Sequence, residues 1–297
     1  MNDSTGAAFE IPGAEGELIR GNVHLPRRGE PDHGAGDRGG RLPVLLILHG
    51  FKGYKDYGFF PYLTQRLAEG GLATVRFNFS HGGIDDDPST FGRPDLFERD
   101  SWSRQVADVR AVIGAAEAGR LPHADRMDLS RLALLGHSRG GVTALLTAGS
   151  DSRVKAVVTL AAPSSADNLT AEQRRTIRER GHVVSPSSRT GQALRIGRAW
   201  LNDLEQNAAA LDLRAAVGRM SAALLIVNGT ADGSVPAACA EEIAAAYSHR
   251  AETLLLDGAG HTFDCANPFA GPSRALEQLI GRVSAFLGEH LSAGGAG

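Results

Sequence analysis

A serine stands where an apolar run gives way to a helix-forming run, with a glycine two residues to either side. Residues 131–135, Arg-Leu-Ala-Leu-Leu, lead into Gly136-His137-Ser138-Arg139-Gly140, and Gly-Val-Thr-Ala-Leu-Leu follows. A chain that passes from a buried strand into a helix over so few residues must turn sharply. That turn strains the serine backbone and pushes its hydroxyl outward, so the positions two before and two after must lack bulk. Gly136 and Gly140 meet that need. The pattern is that of a nucleophile elbow, which belongs to an α/β arrangement of strand, turn and helix. Gly-x-Ser-x-Gly also arises by chance in a chain with 37 glycines. Its weight comes from the strand before it and the helix after it.

A serine hydroxyl is a weak nucleophile at neutral pH and needs a histidine base oriented by an acid, in the chain order Ser, Asp/Glu, His. Both follow downstream. Residues 222–227, Ala-Ala-Leu-Leu-Ile-Val, read as a buried parallel strand that runs into Asn228-Gly229-Thr230-Ala231-Asp232. Residues 252–256 read as the next strand, leading into Asp257-Gly258-Ala259-Gly260-His261. Ser138, Asp232 and His261 thus each fall at the carboxyl end of a strand, where open α/β sheets gather their functional groups. Asp257, Asp264 and Asp203 are alternative acids, and loop position favours Asp232. His137 and His49 read as structural members of their turns. Cys265, four residues after His261, reads as a small buried thiol.

Upstream, residues 42–48 form an apolar run ending in His49-Gly50-Phe51-Lys52-Gly53. A glycine-bearing turn at a strand end can aim N–H groups at a developing oxyanion, and the backbone N–H groups of Phe51 and Arg139 are the expected donors.

With these segments, and with Arg76-Phe77-Asn78-Phe79-Ser80-His81-Gly82 and Val235-Pro236, the chain resembles the α/β-hydrolase superfamily from about Gly16 to His290. Within it, the chain is similar to the dienelactone-hydrolase-like and serine-aminopeptidase-like group of small esterases. The resemblance implies a mostly parallel, doubly wound sheet with a small helical cap, and hydrolysis of carboxylic esters with no metal or organic cofactor. Dienelactone hydrolases proper use a cysteine nucleophile. Ser138 stands in that place here, which favours a general esterase. An amide or thioester hydrolase with the same triad is the alternative, followed by a non-catalytic ligand-binding protein on the same scaffold.

The chain's 297 residues, 42% of them hydrophobic, suffice for one α/β domain over residues 1–297. A net charge of −3 with interspersed signs offers no basic stripe for nucleic acid and no polybasic membrane patch. The expected partner is a small ester. The first ten residues lack the charged start and apolar core of a signal peptide, no apolar run approaches the roughly 20 residues of a membrane span, and two cysteines make no disulfide framework. Cytoplasmic residence is the expectation. Residues 85–87, three aspartates near His81, read as a solvated acidic loop and not as metal ligands.

Residues 17–26 read as an antiparallel edge strand and residues 27–41 as a loop rich in glycine, proline and charge. A helix over 62–68 and a strand over 72–79 make one βαβ unit, and a helix over 101–117 precedes the nucleophile strand. Residues 154–160 read as the strand after the elbow helix. The pattern changes over residues 163–218, where a charged helix over 171–180, a Pro/Ser loop over 183–190 and an amphipathic helix over 196–211 are expected. By the resemblance this insertion is a cap, with Trp200 and Leu204 as candidate substrate contacts. Residues 241–247 and 273–287 supply the closing helices. Phe59, Phe60 and Tyr62 read as core.

Overall fold

The computed structural model of the protein describes residues 6–26 and 40–292. The apolar run Leu42–Leu48 (β3) and the strand Ala73–Asn78 (β4) are buried at every position. That is the signature of parallel strands covered on both faces. They lie inside an eight-stranded sheet with Ala7–Pro12 (β1), Leu18–His24 (β2), Met127–His137 (β5), Val154–Leu160 (β6), Ala223–Gly229 (β9) and Glu252–Leu256 (β10), in the order β1-β2-β4-β3-β5-β6-β9-β10. β2 is antiparallel to both β1 and β4; the remaining pairs are parallel. The strand expected at the antiparallel edge is therefore second from it. β1, which the sequence reading did not name, is outermost.

Side chains alternate across the sheet. Val44, Leu46, Leu132, Leu134, Leu224 and Ile226 face one layer, formed largely by Trp102–Glu117 (α3), Arg139–Ala148 (α4), Leu213–Arg219 (α7) and Ala238–Ala246 (α8). Leu45, Ile47, Leu135, Val158, Leu225 and Val227 face the other, where Phe60–Glu69 (α1) and Arg274–His290 (α9) contribute Leu63, Leu67, Leu279, Ile280 and Val283. Phe59 and Phe60 are buried in this second layer. Ser101 caps α3, accepting the Arg104 N–H at 3.4 Å, so this helix starts where a Ser N-cap should start it.

Residues 163–218 lie between β6 and β9. They begin with the charged helix Ala171–Arg180 (α5), held at its start by a Thr170/Gln173 capping box. Of the expected Pro/Ser loop over 183–190, residues 183–186 are instead part of the first arm of an antiparallel hairpin, His182–Pro186 (β7) with Ala193–Gly197 (β8), and 187–190 lie in its turn. Val183 and Val184 favour extended backbone, and the arm pairs locally through Pro186. The expected helix over 196–211 is confined to Arg198–Gln206 (α6), because Ile196 and Gly197 finish the hairpin. α7 closes the segment and packs on α4 and α8. A short helix, Pro94–Arg99 (α2), packs against β8. Of the expected loop over 27–41, residues 27–39 lie outside the described residues. Among the described residues no helix is long and apolar enough to cross a membrane.

Candidate active site

Ser138 joins β5 to α4 with φ 54° and ψ −121°, a backbone conformation unfavourable to any side chain. The surroundings impose it. A Cβ on Gly136 would lie 2.1 Å from the Gly140 carbonyl oxygen, and one on Gly140 would lie 2.4 Å from that of Leu48. Both glycines are therefore required by close backbone approach, and the Ser138 N–H donates to Leu160 O at 2.7 Å to fix the turn against β6. Strain of this kind persists only where neighbours over-determine it.

Asp232 follows β9 and His261 follows β10. Asp232 Oδ2 lies 2.7 Å from His261 Nδ1, while Oδ1 accepts the N–H groups of Ser234 and Val235 at 2.8 and 2.9 Å. With the Asp232 side chain fully buried, these bonds hold the carboxylate in one orientation and place the proton on Nδ1, leaving His261 Nε2 free to accept. The alternative acids are engaged elsewhere: Asp257 accepts from the Thr230 hydroxyl, Asp264 from the Gly260 N–H, and Asp203 from Ser103. Ser138 and His261 both line one cavity of about 200 Å³.

Two buried histidines support this edge. His137 Nε2 donates to the His261 carbonyl at 2.9 Å, and their rings lie 4.8 Å apart. Burial, reinforced by the neighbouring His261, pulls the His137 pKa down to about 4. Burial likewise takes His49 to about 4; its Nδ1 donates to Gly50 O while Nε2 accepts the Phe79 N–H. Both are neutral braces at physiological pH. Gly50 abuts the nucleophile: a Cβ there would sit 3.1 Å from Ser138 Cβ. Phe51, the next residue, lines both cavities that Ser138 lines. Arg139 is the first residue of α4, so its N–H is one of those a helix start leaves without an intrahelical acceptor.

The Arg139 side chain was not singled out by sequence, which drew attention only to its N–H. It is buried and lies 2.7 Å from Asp100 Oδ2, with its guanidinium 3.7 Å from the centre of the Trp200 ring and 5.1 and 5.3 Å from those of Trp102 and Phe51. Its Nε and Nη2 have no aligned hydrogen-bond acceptor among the described residues, so charge and stacking hold it more than hydrogen bonds do. Burial lowers the Arg139 pKa to about 10 and raises that of Asp100, which also accepts from the Ser101 N–H and Gln105 Nε2. A long cation directly after the elbow serine, on a helix with no exposed face, was the available signal that a buried acid must accompany it. A second cavity of about 220 Å³ opens from Ser138 between these groups, walled by Phe51, Phe97, Trp102, Ile196 and Trp200. Trp200 belongs to it. Leu204 does not; it is buried in the layer over α3.

Among the described residues, side chains of the metal-binding types come within ligand distance of one another at Glu252, Glu289 and His290. Glu252 opens β10, at the end opposite the strand ends that carry the elbow, Glu289 and His290 close α9, and Arg282 already contacts Glu252.

Residues 44–271 match the model of the alpha/beta hydrolase family. The chain belongs to this family. It is 30% identical over 161 residues to Hydrolase acrC of Aspergillus aculeatus, a match covering 53% of this chain and 35% of that protein. The chain spans about a third of the length of the curated relatives it matches. Among solved structures, Est1E from Butyrivibrio proteoclasticus with bound ferulic acid superposes with a TM-score of 0.68 at 19% identity, over 96% of this chain and 99% of that one. A puromycin-hydrolysing peptidase of Mycobacterium tuberculosis superposes with a TM-score of 0.65, also at 19% identity, over 96% of this chain and 39% of that one. At these identities the likeness concerns the fold.

Proposed function

We propose that the protein is a serine hydrolase that cleaves carboxylic esters through an acyl-enzyme. The observation that carries this reading is the strained Ser138 elbow sharing a cavity with a histidine whose Nδ1 is held 2.7 Å from a buried carboxylate. Ser138 Oγ attacks the ester carbonyl while His261 Nε2 takes its proton. Asp232 fixes the tautomer and stabilises the imidazolium, and the Phe51 and Arg139 N–H groups receive the charge on the tetrahedral oxygen. His261 then gives the proton to the departing alkoxide. Water then attacks the acyl carbon as it loses a proton to His261, and His261 returns that proton to Ser138 Oγ as the carbon–Oγ bond breaks and the acid leaves. No metal or organic cofactor takes part. The four aromatic walls of the larger cavity suit a flat or branched apolar acyl group, with Trp200 as the proposed contact from the insertion. Cys239 and Cys265 are free thiols, in keeping with a reducing, cytoplasmic setting.

Incubation with a fluorophosphonate should add mass to the peptide containing Ser138 and to no other. Ser138→Ala should remain folded and lose roughly 10⁴- to 10⁶-fold in ester turnover. Ordinary turnover by that variant would end the reading. Amide and thioester analogues of one acyl group, assayed beside the ester, separate the remaining substrate classes, because the same triad serves all three.

A further inference from the structure

Two cavities meet at Ser138 and their walls differ in charge. The larger carries Glu98, Asp100 and Arg139, one cation against two anions. The smaller carries Lys52 and Arg189 and, among its described lining residues, no acid. His261 lines only the smaller. In the serine-hydrolase reading, on which this inference rests, the proton on His261 goes to the leaving oxygen, so the leaving group departs on the His261 side. The acyl group then occupies the larger cavity.

The two cations are held by backbone carbonyls and not by carboxylates. Lys52 Nζ donates to Pro186 O at 2.7 Å, and Arg189 Nη1 donates to Pro88 O at 2.5 Å. Arg189 Nε and Nη2 are buried without an acceptor among the described residues, and its guanidinium rests 5.0 and 5.2 Å from the rings of Tyr54 and Phe91. The fully exposed Asp87 feels the charge of Arg189 without pairing with it. His137 and His261 on the remaining wall add no anion. Net positive charge is thus concentrated on the His261 side of the nucleophile, where Lys52 and Arg189 line the cavity without an acid beside them.

We propose that the cavity beside His261 receives a leaving alcohol that bears an anionic group, bound by Lys52 and Arg189, while the larger cavity takes an uncharged acyl group. A phenyl ester with the anionic group para to the ester oxygen tests this. The 4-carboxyphenyl and 4-carbamoylphenyl esters of one uncharged acid have nearly the same shape, and dividing each kcat/KM by its own alkaline hydrolysis rate removes the difference in leaving ability. The carboxylate ester should be preferred by roughly five- to tenfold at low salt, a preference that shrinks as salt is added. Lys52→Gln and Arg189→Gln should each bring the ratio toward one. The reversed probe, an ester with a carboxylate on its acyl side, should be disfavoured against its amide. Equal rates for the two phenyl esters, or a preference that neither substitution moves, would overturn this inference and leave the esterase intact. Hydrolysis of neither ester, together with no labelling of Ser138, would remove the underlying reading and this inference with it.

Discussion

Ser138, Asp232 and His261 are held in place largely by backbone, whereas the insertion above them is held by side chains. At the sheet edge, Gly136 and Gly140 allow approaches that no Cβ would tolerate, and Asp232 is oriented by two N–H groups of its own loop. In the insertion Gly197 makes one such approach, to the Glu98 carbonyl, and side chains supply further ties. Its hairpin is tied down by Gln192, which bonds both backbone groups of Phe91, and by Lys52 on Pro186. α6 is attached through Asp203 to Ser103 and through Trp200 to Arg139 and Trp102. Its remaining ties include ion pairs such as Arg195 with Glu98, partly exposed and worth little each. Backbone constraints tolerate almost no substitution, and side-chain ties tolerate many. On the proposed reading the frame carries the chemistry, while the insertion contributes residues such as Ile196, Trp200 and Arg189 to cavities that the frame also walls.

The sharpest way to break that contrast is to disturb the frame without touching its backbone. Asp232→Asn keeps an oxygen for the Ser234 and Val235 N–H groups but turns an amide NH₂ toward His261 Nδ1. The imidazole then adopts the opposite tautomer, with its proton on Nε2, and can no longer accept from Ser138. Turnover should fall by roughly 10⁴-fold at neutral pH with little change in the unfolding midpoint. Asp257→Asn and Asp264→Asn, whose carboxylates face Thr230 and Gly260, should be much milder. A larger loss for Asp257→Asn in the same assay would mean that the acid has been misassigned.

Arg139 belongs to both regions, with its N–H in the frame and its guanidinium in the roof. Replacing it by Met leaves Asp100 buried without its cation, which should cost about 3–5 kcal/mol in urea unfolding at pH 8. The pH dependence has a definite sign. Asp100 already has a folded pKa above its ordinary value, so its protonated form is the one the fold favours. The penalty should therefore shrink as the pH is lowered and grow as it rises. Asp100→Asn added to Arg139→Met should restore much of the stability. A single variant as stable as the parent at pH 8 would show that the pair contributes nothing to joining the two regions.

The same contrast separates what was legible in the sequence from what was not. β3, β6, β10 and α5 have the ends that apolar runs, caps and glycines assign them, and the elbow follows from two glycines. These are local signals. The hairpin was hidden because Ser185, Pro186, Ser187 and Ser188 carry loop composition, and only pairing with β8 makes the first arm a strand. β1 was missed because it gains its structure from pairing with β2. For the site, Asp232 and His261 could be read from strand ends, whereas the Arg139–Asp100 pair joins the start of α4 to the junction of α2 and α3, 39 residues earlier. No local pattern announces such a contact. Leu204 was placed with Trp200 because both lie on the apolar face of α6, but a face that is apolar throughout does not say which part borders a cavity.

That last distinction yields the finest test. Trp200 walls the larger cavity and stacks on Arg139, whereas Leu204, one turn further along α6, is buried over α3 away from it. Trp200→Ala should reorder a series of esters that differ only in acyl length or branching by about 1–3 kcal/mol in kcat/KM, the scale of hydrophobic pocket discrimination. Acetate should change least, since its methyl group barely enters the cavity. Leu204→Ala should instead cost about 2–5 kcal/mol of stability, as deletion of a buried leucine side chain does, and leave the order of the esters intact. Equal losses for every ester in Trp200→Ala would make the insertion a structural cover and move acyl selection to Phe51, Phe97 and Trp102. Reordering by Leu204→Ala would show that the roof repacks as one unit, so that the frame alone is rigid.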